Sequence, residues 1–210
     1  MLRLALQLIL ILAFFSCGQL DKRITEKSVK ESYEEEDAIE KAILKAGERY
    51  DSNIFMGTKL GMDKKDFYQM LDSLSFSDIV QFNKDEFSYL LRTDFDTFRF
   101  YFLPEFIDDK LNSLSLQYDE KRPSKSAQLA TMEVASVFMQ KYRSNEGWIS
   151  RTTAWNTHQQ ICYSKSLKVD VFETFDGVKI VFSDVINQYQ AIQYQKLKDE
   201  LEQKRQFDAL

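Results

Sequence analysis

The chain has 210 residues, with 33 Asp and Glu against 28 Lys and Arg, a net charge of −5 and no basic cluster. That balance argues against nucleic acid, whose binding rests on neutralising phosphates, and against electrostatic docking on anionic lipid head groups. Seventeen Phe and ten Tyr bring large apolar area to a core, while two Pro and six Gly leave few built-in breaks.

Arg3 is the only charge before Leu4–Phe15, a run that is apolar except for Gln7, and Ser16, Cys17 and Gly18 follow at once. A basic start, a short apolar core and small residues are the marks of an export leader. The run falls short of the ~20 apolar residues that cross a bilayer. Ser16-Cys17-Gly18 resembles the processing site of bacterial lipoproteins, with Phe14 standing where Leu or Val is usual. The resemblance implies that residues 1–16 are removed and that Cys17 is acylated, palmitate included, and holds the protein at a membrane. The alternative is ordinary secretion after cleavage at a small-x-small site. Residues 17–210 carry a charge of −6 and keep one further thiol, Cys162, so no intrachain disulfide is expected if Cys17 is acylated. Cys162 is expected to be buried on a strand as a small hydrophobe.

Residues 17–36 are charged and read as a tether that becomes helix-compatible from about Ser28. Ile39, Ala42, Ile43, Ala46 and Tyr50 recur at helical spacing. The acidic run Glu34–Asp37 reads as a solvated helix start, where the helix dipole favours negative charge. Gly61-Met62-Asp63 then leads into Lys64-Lys65-Asp66-Phe67. Asp63 is a good N-cap, Asp66 takes the capping-box position, and Met62 with Phe67 makes a hydrophobic staple. The pattern predicts a helix from Lys64 to about Leu74. Glu86–Thr93 reads as extended, Phe98, Phe100 and Phe102 alternate with Arg99 and Tyr101, and Leu114, Leu116 and Tyr118 alternate with polar residues. Pro104–Lys110 is predicted to be the intervening turn, with Asp108-Asp109 at its tip.

Arg122-Pro123-Ser124 breaks the chain, after which Leu129–Tyr142 carries an apolar sector broad enough to predict a largely buried helix. Ile149–Trp155, Gln159–Tyr163, Leu167–Phe172 and Val178–Phe182 read as strands, with Asp176-Gly177 a tight-turn signal before the last. Ile186–Phe207 closes the chain as a helix. Val185, Tyr189 and Ile192 suggest that its first half packs on the domain, while Tyr194, Leu197 and Leu201 lie on another side. The fold class expected is therefore α+β: two tandem helix-plus-antiparallel-sheet repeats and a closing helix. The divisions are 1–16 leader, 17–36 tether, 37–123 first helix and first repeat, 124–186 second repeat, and 187–210 closing helix.

Gly61-Met62-Asp63, followed by a helix and antiparallel strands, resembles the Gly-Met-(Thr/Ser) entry of the SmpA/OmlA lipoproteins, which are small outer-membrane assembly factors. The doubled layout is similar to the β-lactamase-inhibitor-protein fold. These resemblances imply a lipid-anchored envelope factor, and they assign no functional residue.

Chemistry-bearing patterns are few. His158 is the only histidine, and Cys162 lies four residues on; on one strand the two sit ~13 Å apart, beyond hydrogen-bond reach. No histidine pair or cysteine cluster suits zinc, and no phosphate-binding glycine loop occurs. No cofactor or metal is expected. The reading is a non-enzymatic binding or assembly module, anchored through Cys17 at the outer membrane and facing the periplasm, with a protein partner. The candidate contact residues are Arg99, Tyr101, Asp108, Asp109 and Trp155, of types that anchor interfaces or plug sites. A second reading is an inhibitor or immunity-type protein that uses Asp108-Asp109 as its plug, and a third is a hydrolase whose carboxylates converge from distant sequence.

Overall fold

A computed structural model describes residues 27–77, 79–83, 86–93, 97–118, 127–142, 147–152, 158–174 and 177–208. Cys17, Trp155 and Asp176 lie outside the described residues. Among those described, a helix over 27–46 (α1) precedes α2 (Lys64–Phe76) and the strands β1 (Val80–Asn83), β2 (Glu86–Arg92), β3 (Thr97–Ile107) and β4 (Lys110–Tyr118). Then come α3 (Ala127–Tyr142), β5 (Trp148–Thr152), β6 (His158–Ser164), β7 (Leu167–Thr174), β8 (Gly177–Asp184) and α4 (Val185–Asp208). The chain is a mixed α+β protein with a C-terminal helix, as its patterning predicts.

All eight strands form one antiparallel sheet in the order β1-β2-β3-β4-β8-β7-β6-β5. Each helix-plus-four-strand unit is a meander, and the two meanders meet along their last strands, β4 and β8. Short connections let each meander close locally, and pairing the last strands protects two edges that would otherwise be bare.

Period-two alternation assigns the two faces of the sheet. On the first face, Phe98, Phe100, Phe102, Leu114, Leu116, Ile180, Phe182, Val169 and Cys162 pack with Phe67 and Leu71 of α2 and with Val134, Ala135 and Phe138 of α3. Phe55, from the segment before α2, stacks on Phe182 and reaches Phe138 and Phe102, so it joins the two repeats. Cys162 is fully buried there, with its thiol 2.9 Å from the Tyr142 carbonyl oxygen. His158 begins the same strand as Cys162, and the strand rise keeps the two apart by ~13 Å.

Several local expectations change. The α1 helix is formed from the first described residue, 27, so 27–36 is helical rather than tether, and Ser32 and Glu36 are buried rather than solvated. Asp63 has the extended backbone of an N-cap, but its side chain makes no cap bond; it pairs instead with Lys110 at 2.9 Å. Pro104–Ile107 stays in β3, which tolerates the proline through a bulge at Glu105/Phe106, and the turn is Asp108-Asp109 alone. The short edge strand β1 is too brief for its alternation to stand out. The helix α3 is less buried than its apolar sector suggests: Leu129, Met132 and Val137 are exposed, because one sheet face covers only one side of a helix. In α4 only Val185 and Ile186 are buried, and Tyr189 and Ile192 are exposed, so the helix leaves the domain within its first turn. The backbone beyond runs ~30 Å from the body.

Candidate functional site

The second face of the sheet is where polar and apolar side chains lie side by side. Its register forms three rows. One runs Arg151, Gln159, Phe172, Lys179, Gln117, Tyr101 and Ser88 from β5 to β2. The next runs Ile149, Ile161, Asp170, Val181, Ser115 and Leu103, and the third Tyr163, Lys168, Ser183, Ser113 and Glu105. Strands β5, β6 and β7 lie beneath α1, whereas β8, β4 and β3 have no helix over them among the described residues.

The covered half is charged. Glu36 of α1 is bound by Arg151 and by Lys168, the latter at 2.5 Å, and Lys168 also reaches Glu40 at 2.8 Å. The Tyr163 hydroxyl donates to Glu40 at 3.0 Å, and the Arg151 guanidinium lies 4.1 Å from the centre of the Tyr33 ring. Gln159 ties the network to Asp170, donating to both carboxylate oxygens at 2.9 and 2.7 Å while accepting from Arg151 Nε at 2.5 Å. Burial pushes the Asp170 carboxyl up to about 6, against the pull of Gln159, Lys168 and Arg151. Burial acts to lower Lys168, but its hydrogen bonds to Glu36 and Glu40 outweigh it and hold the ammonium above its ordinary value. Burial and then the nearby Glu40 raise Tyr163, which stays a neutral donor. Nothing in local sequence marked this network, because its members come from α1, β5, β6 and β7. The one available signal was the alternation of Lys168 and Asp170 with Leu167, Val169 and Val171, which sets two charges opposite the core face.

The open half carries the residues singled out from alternation. Arg99 is exposed and Tyr101 half-buried, on the side of β3 opposite its core phenylalanines. Between them and α1 lies a strip of small side chains, Ser113, Ser115 and Ser183, all three buried, with the apolar Leu103 48% exposed beside it. Glu105 accepts from Ser113 at 2.8 Å, and Lys179 and Val181 are partly exposed. An exposed arginine and leucine beside a half-buried tyrosine, with polar neighbours, suit a protein surface.

Asp108 and Asp109 are elsewhere, in a two-residue turn with φ of 48° and 59°. Both carboxylates are exposed, but the turn is short and tied down: Lys64 N–H donates to the Asp109 carbonyl at 2.8 Å, and Asp63 pairs with Lys110. Gly61, at φ +82°, donates to the Leu111 carbonyl at 2.7 Å, and Met62 accepts from Leu111 N–H at 2.8 Å. The Gly-Met entry therefore seats α2 against this hairpin. The structure does not bring Arg99 and Tyr101 together with Asp108 and Asp109 as one site. No family model, curated protein or solved structure matches the chain. Among the described residues, no group of His, Cys, Asp and Glu converges as a metal site, and no helix is long and apolar enough to cross a membrane.

Proposed function

We propose that this chain is a non-enzymatic binding or assembly module of the bacterial cell envelope. It is anchored through acyl chains on Cys17 at the outer membrane, facing the periplasm, and engages a protein partner through the open half of its second sheet face. The observation that carries the reading is that half-face: Arg99, Tyr101 and Leu103 stand on a rigid sheet with no helix over them among the described residues. Aromatic and arginine side chains are the residue types that anchor protein interfaces, and a backbone held in a sheet needs little reordering on docking. The leader and the Ser16-Cys17-Gly18 site support the address.

The test is capture of the full-length acylated protein from its native membrane, in parallel with an Arg99→Glu/Leu103→Asp variant. A partner recovered with the wild type and lost with the variant supports the reading. Identical recoveries, or a Cys17 that mass spectrometry finds unmodified in a freely soluble product, overturn it.

A further inference from the structure

We propose that the seat of α1 on β5–β7 is an exchangeable binding site for an acidic amphipathic helix. The chain's own α1 fills it at rest, and a partner's helix fills it when α1 lifts. This rests on the binding-module reading only in supposing that a partner exists; the exchange is a property of this chain.

The forces holding α1 are of the exchangeable kind. Its apolar contacts belong to a small cluster separate from the main core, in which Ile39, Ile43 and Leu44 meet Ile149, Ile161, Tyr163, Val185 and Ile186. The rest of the seat is ionic. A buried ion pair regains in attraction roughly what it loses in desolvation, so such bonds select the charge and orientation of an occupant more than they hold it. The balance is also incomplete: Glu36, Glu40 and Asp170 face Arg151 and Lys168, so three carboxylates share two cations. Lifting α1 returns Asp170 to water and relieves that crowding.

The chain has a pivot at the right place. Gly47 ends α1 at φ +68°, with open space around its Cα and its N–H bonded to the Ile43 carbonyl at 2.9 Å. Just beyond it, Arg49 is fixed to Asn187 at 2.7 Å, and Tyr50 N–H donates to the Ser166 hydroxyl at 3.0 Å. The helix can therefore swing about Gly47 while the chain after it stays pinned. A groove of about 480 Å³ lies along the exposed flank of α1 past Ala38, Ala42 and Ala46 to Lys165, so that flank of the helix is not packed against the sheet. The occupant the seat selects repeats the α1 signature: an aromatic, two carboxylates and an aliphatic residue at the spacing of Tyr33, Glu36, Glu40 and Ile43, on one helical face.

The probe is a fluorescein-labelled peptide of residues 27–46, titrated into the full-length protein and followed by anisotropy. Binding should be saturable. It should tighten roughly tenfold in a Glu36→Gln/Glu40→Gln protein, whose weakened resident helix vacates the seat more often. Adding Arg151→Glu to that protein should abolish the gain. In parallel, hydrogen exchange should find the α1 amides roughly a hundredfold less protected than those of β6 and β7. Equal peptide affinity for wild type and Glu36→Gln/Glu40→Gln, a gain that survives Arg151→Glu, or α1 protection equal to that of β6 and β7 would each overturn the exchange. None of these readouts involves Arg99 or Leu103, so this idea and the proposed partner face fail separately.

Discussion

Lys168 donates to Glu36 at 2.5 Å across 132 residues of sequence. That bond joins α1 to β7, and the same ammonium also binds Glu40, one helical turn further on. Lys168 is thus the one cation that holds two carboxylates of α1, and α1 alone covers the second face over β5–β7 among the described residues.

Replacing Lys168 by Met should therefore undock α1. It leaves Glu36, Glu40 and Asp170 facing Arg151 alone, and stranding partly buried charges in this way costs roughly 3 kcal/mol. The loss should be local. Hydrogen exchange is expected to find 27–46 unprotected while amides of β3, β4 and β8 keep their protection, because the main core does not include α1. Uniform loss of protection across the sheet would show that α1 is integral to the fold.

Asp170 should make stability depend on pH. Its carboxyl titrates at about 6 in the folded protein, above its ordinary value. The folded state therefore holds a proton that the unfolded state has already lost between about pH 4 and 6, so this group's contribution falls as pH rises through that window and levels off above it. The full difference is roughly 3 kcal/mol. Denaturant unfolding at a series of pH values should find that Asp170→Asn gains on the wild type from pH 4 to 6.5 and holds a constant difference above that. A difference independent of pH would remove the assignment.

Two neighbours on β3 should behave oppositely. Phe100 is fully buried among Phe98 and Tyr118, so Phe100→Ala should cost roughly 3–5 kcal/mol through lost burial and a cavity. Arg99 is exposed on the other face, and Arg99→Ala should stay within about 0.5 kcal/mol of the wild type. Urea midpoints of the two variants settle the comparison, and a large cost at Arg99 would mean that the face is covered.

Gly177 and Gly61 separate strain from crowding. Both lie at positive φ, +130° and +82°. A Cβ on Gly61 meets nothing within 4 Å, so Gly61→Ala should cost only the backbone strain of roughly 1–2 kcal/mol. A Cβ on Gly177 would sit 2.7 Å from the Tyr118 ring, so Gly177→Ala must also push a core tyrosine aside. Thermal unfolding should rank Gly177→Ala clearly below Gly61→Ala, and the reverse order would count against the packing of Tyr118 on this turn.

The element plan was readable where one signal dominates. Alternation at Phe98–Phe102 and Leu114–Tyr118 placed strands and their buried faces, and it set Arg99 and Tyr101 opposite the core. The Met62/Phe67 staple placed the start of α2. Reading failed where two signals compete. Pro104 reads as a turn, but a bulge keeps it in β3. The Asp63 carboxylate reads as a helix cap, but Lys110 offers it a full charge. Tyr189 and Ile192 read as a packing stripe, but both are exposed, with no element packed on them among the described residues.

Sequence alone determined what depends on neighbours along the chain: the helix and strand periods, Asp108-Asp109 as the tip of a turn, and the separation of Cys162 from His158 by strand rise. Only the tertiary structure decided that the two meanders join edge to edge through β4 and β8, and that Glu36 and Glu40 meet Arg151, Lys168 and Asp170. The strand pairs join residues more than sixty positions apart, and the ion pairs join residues more than a hundred apart. Their energies are set by burial and by opposing charges brought together on folding, and a linear pattern of residue types encodes neither.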